Sequence, residues 1–305
     1  MARNGYAWWY LDALSDDGEF GLVLIAFVGS VFSPYYAAAR RRAGPEGADP
    51  QAHNAINLSL YRRGRKVWTM TERAGAALQR DAAHLQVGPS SLHWQGDALV
   101  ADIDEVSVPW PQRVRGRIRL HALALQTQAH TLDAQGRHRW WPIAPRAEVE
   151  VDFGHPGMRW RGHGYLDSNR GDEALEDAFV NWHWTRAPLV GARSAVLYNA
   201  LRRDGSTAAL ALRFDRQGGC EALPSPSLCD LPAGWWGVQR QTGSDAQQSP
   251  QSHRVLEDGP FYVRGLVGAS WWGEPVRAMH ESLDLDRFRS RVVQAMLPFR
   301  MPRRG

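Results

Sequence analysis

Residues 155–186 read HPGMRWRGHGYLDSNRGDEALEDAFVNWHWTR, and residues 160–167 form the centre of this stretch. Alternate side chains of a β-strand point to the same face. As a strand, this centre places residues 161, 163, 165 and 167 (Arg, His, Tyr and Asp) on one face. Trp160 and the two glycines, Gly162 and Gly164, then lie on the other face, and glycines permit close approach of backbone or ligand. The pattern therefore predicts a strand with chemically active side chains on one face.

Asp167 lies in a sequence that is rich in acid–base and aromatic side chains. A carboxyl group beside a tyrosine and a histidine can transfer protons. Upstream, residues 138–141 read HRWW, so His138 and Trp140 share a face if this segment is extended. Downstream, residues 182–184 read WHW. The sequence therefore predicts a poorly hydrated site, with Asp167 as its candidate acid.

Each of these residues also has an ordinary structural interpretation. Asp167 precedes Ser-Asn-Arg-Gly, which is turn chemistry, so its carboxylate can equally cap a turn. Strand tyrosines mostly pack, and a single histidine is mostly structural. The clustering of Asp, Tyr, His and Trp within a short segment is what favours a functional site.

The composition indicates a globular protein with many aromatic side chains. The 305 residues are 44% hydrophobic and 22% charged, which excludes a disordered chain. Fourteen tryptophans are far more than usual, and they suit apolar pockets, membrane interfaces and cation binding as well as an aromatic β-sheet core. This length is enough for one large domain or two ordinary ones.

The net charge is +4, and Lys66 is the only lysine. Arginines cluster at 40–42, 62–65 and 300–304. Such clusters either lie solvated at the surface or contact nucleic acid or anionic lipid. No nucleic-acid-binding motif accompanies them, so we expect no nucleic-acid partner.

We expect no metal and no cofactor. Metal-ligand spacings, a Gly-rich nucleotide loop and a nucleophile elbow are all missing from the sequence. Cys220 and Cys229 are expected to be free thiols in a reducing cytoplasm, because no signal peptide is evident. The longest apolar run, residues 21–29, is too short to cross a bilayer.

The spacing of apolar runs and turn residues predicts an all-β protein. Strands of the first half are expected at 6–12, 20–32, 53–61, 67–72, 85–87, 91–95, 98–105 and 113–125, with a short helix at 37–43. In the second half they are expected at 179–185, 191–202, 208–215, 234–242, 252–257, 261–267 and 269–273, with 217–232 irregular and a helix at 283–296. This rhythm is typical of antiparallel barrels or sandwiches. We place the domain boundary near the turn-rich residues 168–177, giving domains 1–170 and 171–305.

Three segments resemble a known family. GYAWWYLDALSDDGEFGLVLIAFVGSVFSPYY (5–36), residues 53–61, and WRGHGYLDSNRGDEAL (160–175) are similar to the carotenoid 1,2-hydratases, or hydroxyneurosporene synthases, of photosynthetic bacteria. The resemblance extends from Gly5 to about Trp272. It implies two lipocalin-like (calycin) barrels, followed here by the short C-terminal helix.

The resemblance implies a cofactor-independent reaction. Water is added to the terminal 1,2 double bond of an acyclic carotene such as neurosporene or lycopene, giving a tertiary alcohol. The family's functional positions correspond here to His138, Trp140, Tyr165 and Asp167. The sequence leaves open whether Asp167 or His138 holds the proton. We expect substrate contacts from the neighbouring aromatic and histidine side chains, namely Trp141, Trp160, His163, Trp182, His183 and Trp184.

A carotene resides in a membrane, so a peripheral association with an anionic membrane surface is expected. Three other functions fit part of the pattern. A lipid or carotenoid carrier keeps the tryptophans but needs no buried acid. A related cyclase or isomerase uses the acid but quenches the cation internally. A glycan-binding protein exposes its tryptophans. The sequence does not indicate an oligomeric state.

Overall fold

The structure is a computed structural model that describes residues 1–63 and 65–304. It divides into two compact units. Unit 1 comprises residues 1–131, 135–174 and 295–305, and unit 2 comprises residues 132–134 and 175–294. The prediction of an all-β protein is confirmed. The two domains with a boundary at residue 170 stay a prediction.

Unit 1 is built on one large sheet that is antiparallel except at one edge. Its strands are β1 (Tyr6–Ser15), β2 (Phe20–Val28), β3 (Asn54–Arg62), β4 (Arg65–Arg73), β5 (Leu78–Arg80), β6 (His84–Val87), β7 (Ser90–Gln95), β8 (Ala98–Val106), β9 (Arg113–Ala122), β10 (His130–Thr131), β11 (His138–His155) and β12 (Met158–Gly171). The sheet order is β4-β3-β2-β1-β12-β11-β9-β8-β7-β6-β5, and β10 pairs with β11.

Local sequence explains how this sheet begins. At the β1–β2 hairpin, the Ser15 hydroxyl accepts a hydrogen bond from the Phe20 amide, and Asp17 accepts one from the Glu19 amide. Gly18 has a φ of 70°, which glycine adopts without strain. Turn residues of this kind fix the register of the strands that follow.

The sheet curls, so that β4 approaches β8 although they are distant in the sheet order. The guanidinium of Arg73 on β4 lies 2.6 Å from the carboxylate of Glu105 on β8, and both side chains are buried. The Val108 amide, just after β8, donates to the Trp68 carbonyl at 2.9 Å. Leucine, valine and isoleucine side chains, among them Leu24, fill the interior of the curl. This apolar core holds one face of every strand that carries the candidate site.

Helix α1 (Pro34–Ala43) follows β2. Ser33 caps it by accepting from the Tyr35 and Tyr36 amides, and Pro34 occupies its first turn. Arginines 40–42 lie in the last turn, where cations favour the helix dipole. The prediction of a short basic helix is therefore confirmed, with a start three residues earlier.

Unit 2 contains a second antiparallel sheet. Its strands are β13 (Phe179–Leu189), β14 (Arg193–Arg202), β15 (Thr207–Phe214), β16 (Cys220–Ala222), β17 (Ser227–Leu231), β18 (Arg240–Ser244), β19 (Gln251–Asp258), β20 (Tyr262–Trp271) and β21 (Glu274–Asp284). The order is β16-β15-β14-β13-β21-β20-β19, and β17 and β18 form a separate pair. The unit also holds helices α2 (Leu175–Ala178) and α3 (Leu285–Arg289).

Several predictions for the second half were wrong. The strand expected at 234–242 begins only at Arg240, because Gly237 adopts a φ of 78° within a turn. Residues 217–232 contain two short strands, β16 and β17, and the single strand β20 replaces the two expected at 261–267 and 269–273. The long strand β21 was missed altogether.

The C-terminal helix is confirmed as short, but it is interrupted. Ser290, with a ψ of 126°, separates α3 from α4 (Arg291–Met296). The last strand, β22 (Arg303–Arg304), then runs parallel to β4 in unit 1.

Candidate active site

The predicted strand around Asp167 is β12, which pairs with β11 on one side and β1 on the other. Trp160 and Leu166 belong to the apolar core of unit 1. Tyr165 and Asp167 lie on the opposite face, as the alternation predicted, and both are buried. Arg161 has the same alternation along β12 as Tyr165 and Asp167 but lies nearer the start of the strand. There it is exposed and pairs with Glu150 at 2.8 Å.

Two donors converge on one oxygen of Asp167. The Trp140 indole Nε1 donates to Asp167 Oδ2 at 2.8 Å, and the Tyr165 hydroxyl donates to the same atom at 2.8 Å. Trp140 and Tyr165 are 0% exposed and Asp167 is 4% exposed. Burial and the neighbouring Asp167 carboxylate raise the pKa of Tyr165 well above its usual range, so Tyr165 stays a neutral donor. The structure thus brings three of the four predicted catalytic residues into direct contact.

The neighbouring strand β1 contributes side chains that the sequence analysis did not identify. Tyr10 lies directly opposite Asp167, and Asp12 lies directly opposite Tyr165. The rings of Tyr10 and Tyr165 meet edge to face, with their centroids 6.3 Å apart. The alternating aromatics of YAWWY could have indicated this face. The pairing with β12 is a long-range contact that no local pattern reveals.

His138 lies two residues before Trp140 and makes two polar contacts of its own. Its Nδ1 lies 2.9 Å from the Tyr6 hydroxyl, and its Nε2 lies 3.2 Å from Glu173 Oε1. Glu173 also accepts from Arg137 at 2.7 Å. An Nε2–H donated to Glu173 leaves Nδ1 to accept from Tyr6. His138 therefore belongs to a chain that links Glu173 to Tyr6.

Gly171 makes this chain possible. It pairs with Tyr6 on one side and with His138 on the other. A Cβ at this position would lie 2.7 Å from His138 Nδ1 and would collide with the Tyr6 ring. The missing side chain therefore gives Tyr6 and His138 the space in which they meet.

Aromatic rings lie around both the Asp167 carboxyl group and the His138 imidazole. Tyr6 stacks on Trp8 with a centroid distance of 4.9 Å, and Trp8 lies 6.2 Å from Phe27. The His130 ring lies 5.5 Å from Trp140, and burial lowers the pKa of His130. The carboxyl of Asp167 and the imidazole of His138 thus lie in a predominantly aromatic environment.

The strand that carries Trp140 is irregular beyond it. The register of β11 against β12 shifts between Trp141 and Ala144 and again before Ala147. Pro142 and Pro145 lie in this segment and have no amide hydrogen to complete a ladder. Such bulges redirect side chains next to functional sites.

The predicted substrate contacts are spread over several environments. Trp141 is 38% exposed, and its indole donates to the Gln126 carbonyl. Trp160 stacks on Phe20 in the core of unit 1, on the face opposite to Asp167. His163 is half-buried on β12. Of these three, only His163 has the strand parity of Asp167.

Trp182, His183 and Trp184 lie on β13 of unit 2 and are buried. Trp182 packs on Tyr198, with ring centroids 5.0 Å apart. His183 joins a polar chain in which its Nδ1 contacts the Ser282 hydroxyl at 2.8 Å. The chain continues through His280 and then through the hydroxyls of Thr185 and Thr242. Within unit 2, these residues form a buried polar network of their own.

Because His183 is buried, we expect the protein to lose stability in mild acid. Burial lowers the pKa of His183 from 6.5 to about 4. As the pH falls from 6.5 towards 4, His183 binds a proton in the unfolded chain but stays neutral in the folded chain. The free energy of unfolding therefore decreases by up to about 3 kcal/mol. Above pH 6.5 this effect is missing. We expect chemical unfolding of His183→Gln to depend less on pH in this window.

His253→Gln is the matched control, because His253 is an exposed histidine on β19 of the same unit. Burial likewise lowers the pKa of His280, so some pH dependence remains in the His183→Gln protein. An unchanged slope in His183→Gln would contradict the prediction.

Cys220 and Cys229 are free thiols, as expected. Among residues 1–63 and 65–304, no three His, Cys, Asp or Glu side chains are grouped so that they could hold a metal ion. In the same described residues, no helix has the length and apolar character needed to cross a membrane.

Comparison with known proteins gives three consistent results. The family model for the carotenoid hydratase CrtC matches residues 24–305. The acyclic carotenoid 1,2-hydratase of Thiocapsa roseopersicina is 53% identical over 100% of this chain and 75% of that protein. The enzyme of the same name from Rubrivivax gelatinosus is 44% identical over 99% of this chain and 74% of that protein.

Two solved structures are similar in fold. A Nitrosomonas europaea protein assigned as AttH has a TM-score of 0.59 and 14% identity, covering 93% of this chain and 92% of that chain. CghA in complex with Sch210972 has a TM-score of 0.54 and 11% identity, covering 92% and 88%. At this level of identity the likeness concerns the fold alone, and it confirms the lipocalin-like prediction.

Proposed function

The chain belongs to the carotenoid hydratase CrtC family, and we propose that it adds water across the terminal 1,2 double bond of an acyclic carotene such as neurosporene or lycopene. The resemblance found in the sequence is thereby confirmed at the level of the family. Carotenoid hydration follows from that membership. The substrate, the mechanism and the residues that act are the parts we propose.

The observation that carries the mechanism is the contact of Trp140 and Tyr165 with one oxygen of Asp167. Hydrogen bonds to a carboxylate stabilise the ionised form. When Asp167 transfers a proton from Oδ1, negative charge develops on the carboxylate. Trp140 and Tyr165 both donate to Oδ2 and stabilise this charge, so they favour the transfer. Their stabilisation is therefore greater in the transition state than in the ground state, and this difference accelerates the reaction.

In the first step, Asp167 transfers its proton to C2 of the terminal trisubstituted double bond. The π electrons form the new C–H bond, and C1 becomes a tertiary cation. This cation needs stabilisation by groups that do not capture it. The aromatic faces of Trp140, Tyr165 and Tyr10 are suitable, since a desolvated cation over such a face gains about 2 kcal/mol.

In the second step, water attacks C1 and loses one proton. The Asp167 carboxylate recovers this proton, so the enzyme returns to its starting state and the product is a tertiary alcohol. We assign His138 a positioning role. Through its contacts with Tyr6 and Glu173 it fixes the hydroxyl of Tyr6, which is suited to orient the water.

The proposed addition transfers no electrons, so the reaction needs no redox cofactor. Purified protein incubated with lycopene or neurosporene in detergent, without cofactors and with a chelator, should yield a product heavier by one water. A pigment that binds without a mass change would favour the carrier. A product of unchanged mass but altered retention on chromatography would favour the cyclase or isomerase. Trp110 and Trp235 are exposed, as the glycan-binding alternative requires, but Trp140 at the candidate site is buried, which disfavours glycan binding there.

We further propose that unit 1 meets the membrane through a surface that we call the Trp110 patch, defined by Lys66, Trp68, Trp110, Phe299 and Arg300. Trp110 and Phe299 are 79% and 80% exposed. Arg300 lies 4.6 Å above the Trp68 ring, and Lys66 lies 5.9 Å from it. Tryptophan and basic side chains together suit the interface of an anionic bilayer.

The loop that carries Trp110 is held in place. The Ser107 hydroxyl donates to the Trp110 carbonyl at 2.5 Å and accepts from the Gln112 amide at 3.0 Å. An exposed ring on an ordered loop loses little conformational freedom on insertion. The Trp110 patch is therefore organised before it meets lipid.

Replacing both Trp110 and Phe299 by alanine should weaken binding to anionic liposomes by about tenfold or more, because about 1.4 kcal/mol of apolar burial is lost. Cosedimentation with phosphatidylglycerol vesicles measures this. Trp235→Ala, which removes an 84% exposed tryptophan of unit 2, is the control. A loss of binding in the control alone would contradict the Trp110 patch as the docking surface.

A further inference from the structure

Arg240 of unit 2 is a buried arginine whose charge is only partly compensated. It begins β18 and is 1% exposed. Its Nη1 donates to the Pro232 carbonyl at 3.3 Å and to the Ser252 hydroxyl at 3.2 Å. Its Nε and Nη2 are buried and have no hydrogen-bond partner among the residues that the structure describes. Buried polar groups are nearly always hydrogen-bonded, so these two donors require an explanation.

Nε and Nη2 form one edge of the guanidinium, and this edge is the one that other arginines of the protein use to bind carboxylates. Arg63 donates from Nε and Nη2 to the two oxygens of Glu19 at 3.0 and 2.9 Å. In the interior of unit 2, Arg264 donates from Nε to Glu281 at 2.6 Å. The open edge of Arg240 therefore matches a carboxylate in both geometry and charge.

Nearby acidic side chains do not occupy this edge. Asp258 is the carboxylate that acts electrostatically on Arg240, but its oxygens accept from the backbone amides of Trp235 and Trp236. Burial lowers the pKa of Arg240, and Asp258 opposes this effect only in part. The charge of the buried guanidinium is therefore only partly compensated.

The surroundings of Arg240 are small and polar. A Cβ on Gly265 would lie 3.2 Å from Arg240 Nη2, and Gly265 pairs directly with His280. The buried chain of His280, Thr185 and Thr242 supplies hydroxyl and imidazole groups to the same interior. Burial and the charge of Arg240 lower the pKa of His280. This imidazole therefore stays neutral and adds no second positive charge beside Arg240.

The apolar core of unit 2 also favours a particular kind of carboxylate. Ala187, Ala195, Ala211 and Ala278 are all members of this core. These alanines lie in the same cluster as larger side chains such as Trp271 and Leu197, and such apolar surroundings favour contact with an aliphatic chain. An aliphatic carboxylate suits this combination better than an inorganic ion.

We propose that unit 2 binds an aliphatic carboxylate, held by the Nε–H and Nη2–H of Arg240 inside the sheet. The site is separate from the Asp167 cluster of unit 1 and has no part in the proposed hydration. A bound carboxylate pairs the buried cation and satisfies both of its free donors.

Octanoate is the probe for this site. At constant ionic strength, octanoate should raise the thermal midpoint of the full-length protein in a saturable manner, whereas 1-octanol and inorganic phosphate should not. In Arg240→Met the dissociation constant for octanoate should increase by about tenfold or more, because two charge-assisted hydrogen bonds are lost. Arg213→Met is the matched control, since it removes a partly exposed arginine of the same unit that pairs with Glu221.

Arg240→Lys tests the same point if Arg240→Met fails to fold. It keeps the charge but lacks the planar fork, so octanoate should bind more weakly than to the wild type. Equal affinity in the Arg240 variants, a response to phosphate alone, or no response in the wild type would overturn the proposal.

The Asp167→Asn protein separates this inference from the proposed function. It should bind octanoate with the affinity of the wild type even if it no longer hydrates carotene. A loss of octanoate binding in Asp167→Asn would place the ligand in unit 1 and overturn the assignment to Arg240.

Discussion

The Asp167→Asn protein should hydrate an acyclic carotene about 10²–10⁴-fold more slowly than the wild type, because a positioned general acid contributes that much to a rate. Asparagine has nearly the same shape and still accepts hydrogen bonds from Trp140 and Tyr165 through its carbonyl oxygen. It cannot supply a proton to a carbon atom. The substitution therefore removes the chemistry and keeps the packing.

The measurement is the initial rate of alcohol formation, followed by chromatography and mass spectrometry. Asp172→Asn is the matched control, because Asp172 is an exposed carboxylate five residues further along the chain. Its activity should equal that of the wild type. An Asp167→Asn enzyme within about tenfold of the wild type would exclude Asp167 as the acid and shift attention to His138.

The second large effect concerns the stability of unit 1. Replacing Glu105 by alanine should lower the free energy of unfolding by about 3–5 kcal/mol, because it leaves Arg73 buried without its charged partner. Glu105 is 2% exposed and Arg73 7% exposed, and the Ser90 hydroxyl also donates to Glu105 at 2.8 Å. Burial raises the pKa of Glu105, and Arg73 beside it opposes this effect.

Two variants calibrate the result in urea unfolding. Glu150→Ala removes a surface pair with Arg161, whose side chains are 46% and 78% exposed, and should cost about 0–1 kcal/mol. Glu105→Gln keeps an acceptor for Arg73 and should cost less than Glu105→Ala. Equal effects of Glu105→Ala and Glu150→Ala would show that the buried pair does not hold β4 against β8.

The local pattern of the sequence predicted the candidate acid, but not that Trp140 and Tyr165 donate hydrogen bonds to it. The alternation of residues 160–167 placed Tyr165 and Asp167 on one face, and the structure confirms that parity. Trp140 was predicted from the resemblance to the hydratase family, and the spacing placed it on the same face as His138 if residues 138–141 are extended. Period-two patterns succeed here because one face of β12 is held by the apolar core.

The contacts of His138 could not be predicted in this way. Tyr6 and Glu173 are 132 and 35 residues away in sequence, and only the pairing of β1, β12 and β11 brings them together. A hydrogen bond of this range depends on strand order, which local propensity does not specify. The burial of Arg240 and its contacts could not be predicted for the same reason.

The errors in unit 2 arise where contacts between residues distant in sequence decide the local structure. The aromatic content of residues 234–242 suggested a strand, but Asp258 binds the amides of Trp235 and Trp236 and Gly237 turns the chain. The start of the predicted helix at 283–296 overlapped the end of β21, where Leu283 is still paired with Tyr262. Tertiary pairing overrode weak local preferences at both places.

The most direct test of the proposed mechanism is isotope incorporation. Wild-type protein and Asp167→Asn are incubated with lycopene, once in D₂O and once in H₂¹⁸O, and the products are analysed by mass spectrometry and NMR. The mechanism predicts one deuterium at C2 and one ¹⁸O at C1 for each hydrated end in the wild type, and almost no product from Asp167→Asn. Bound but unlabelled lycopene in the wild type, or equal labelling by Asp167→Asn, would contradict protonation of the alkene by Asp167.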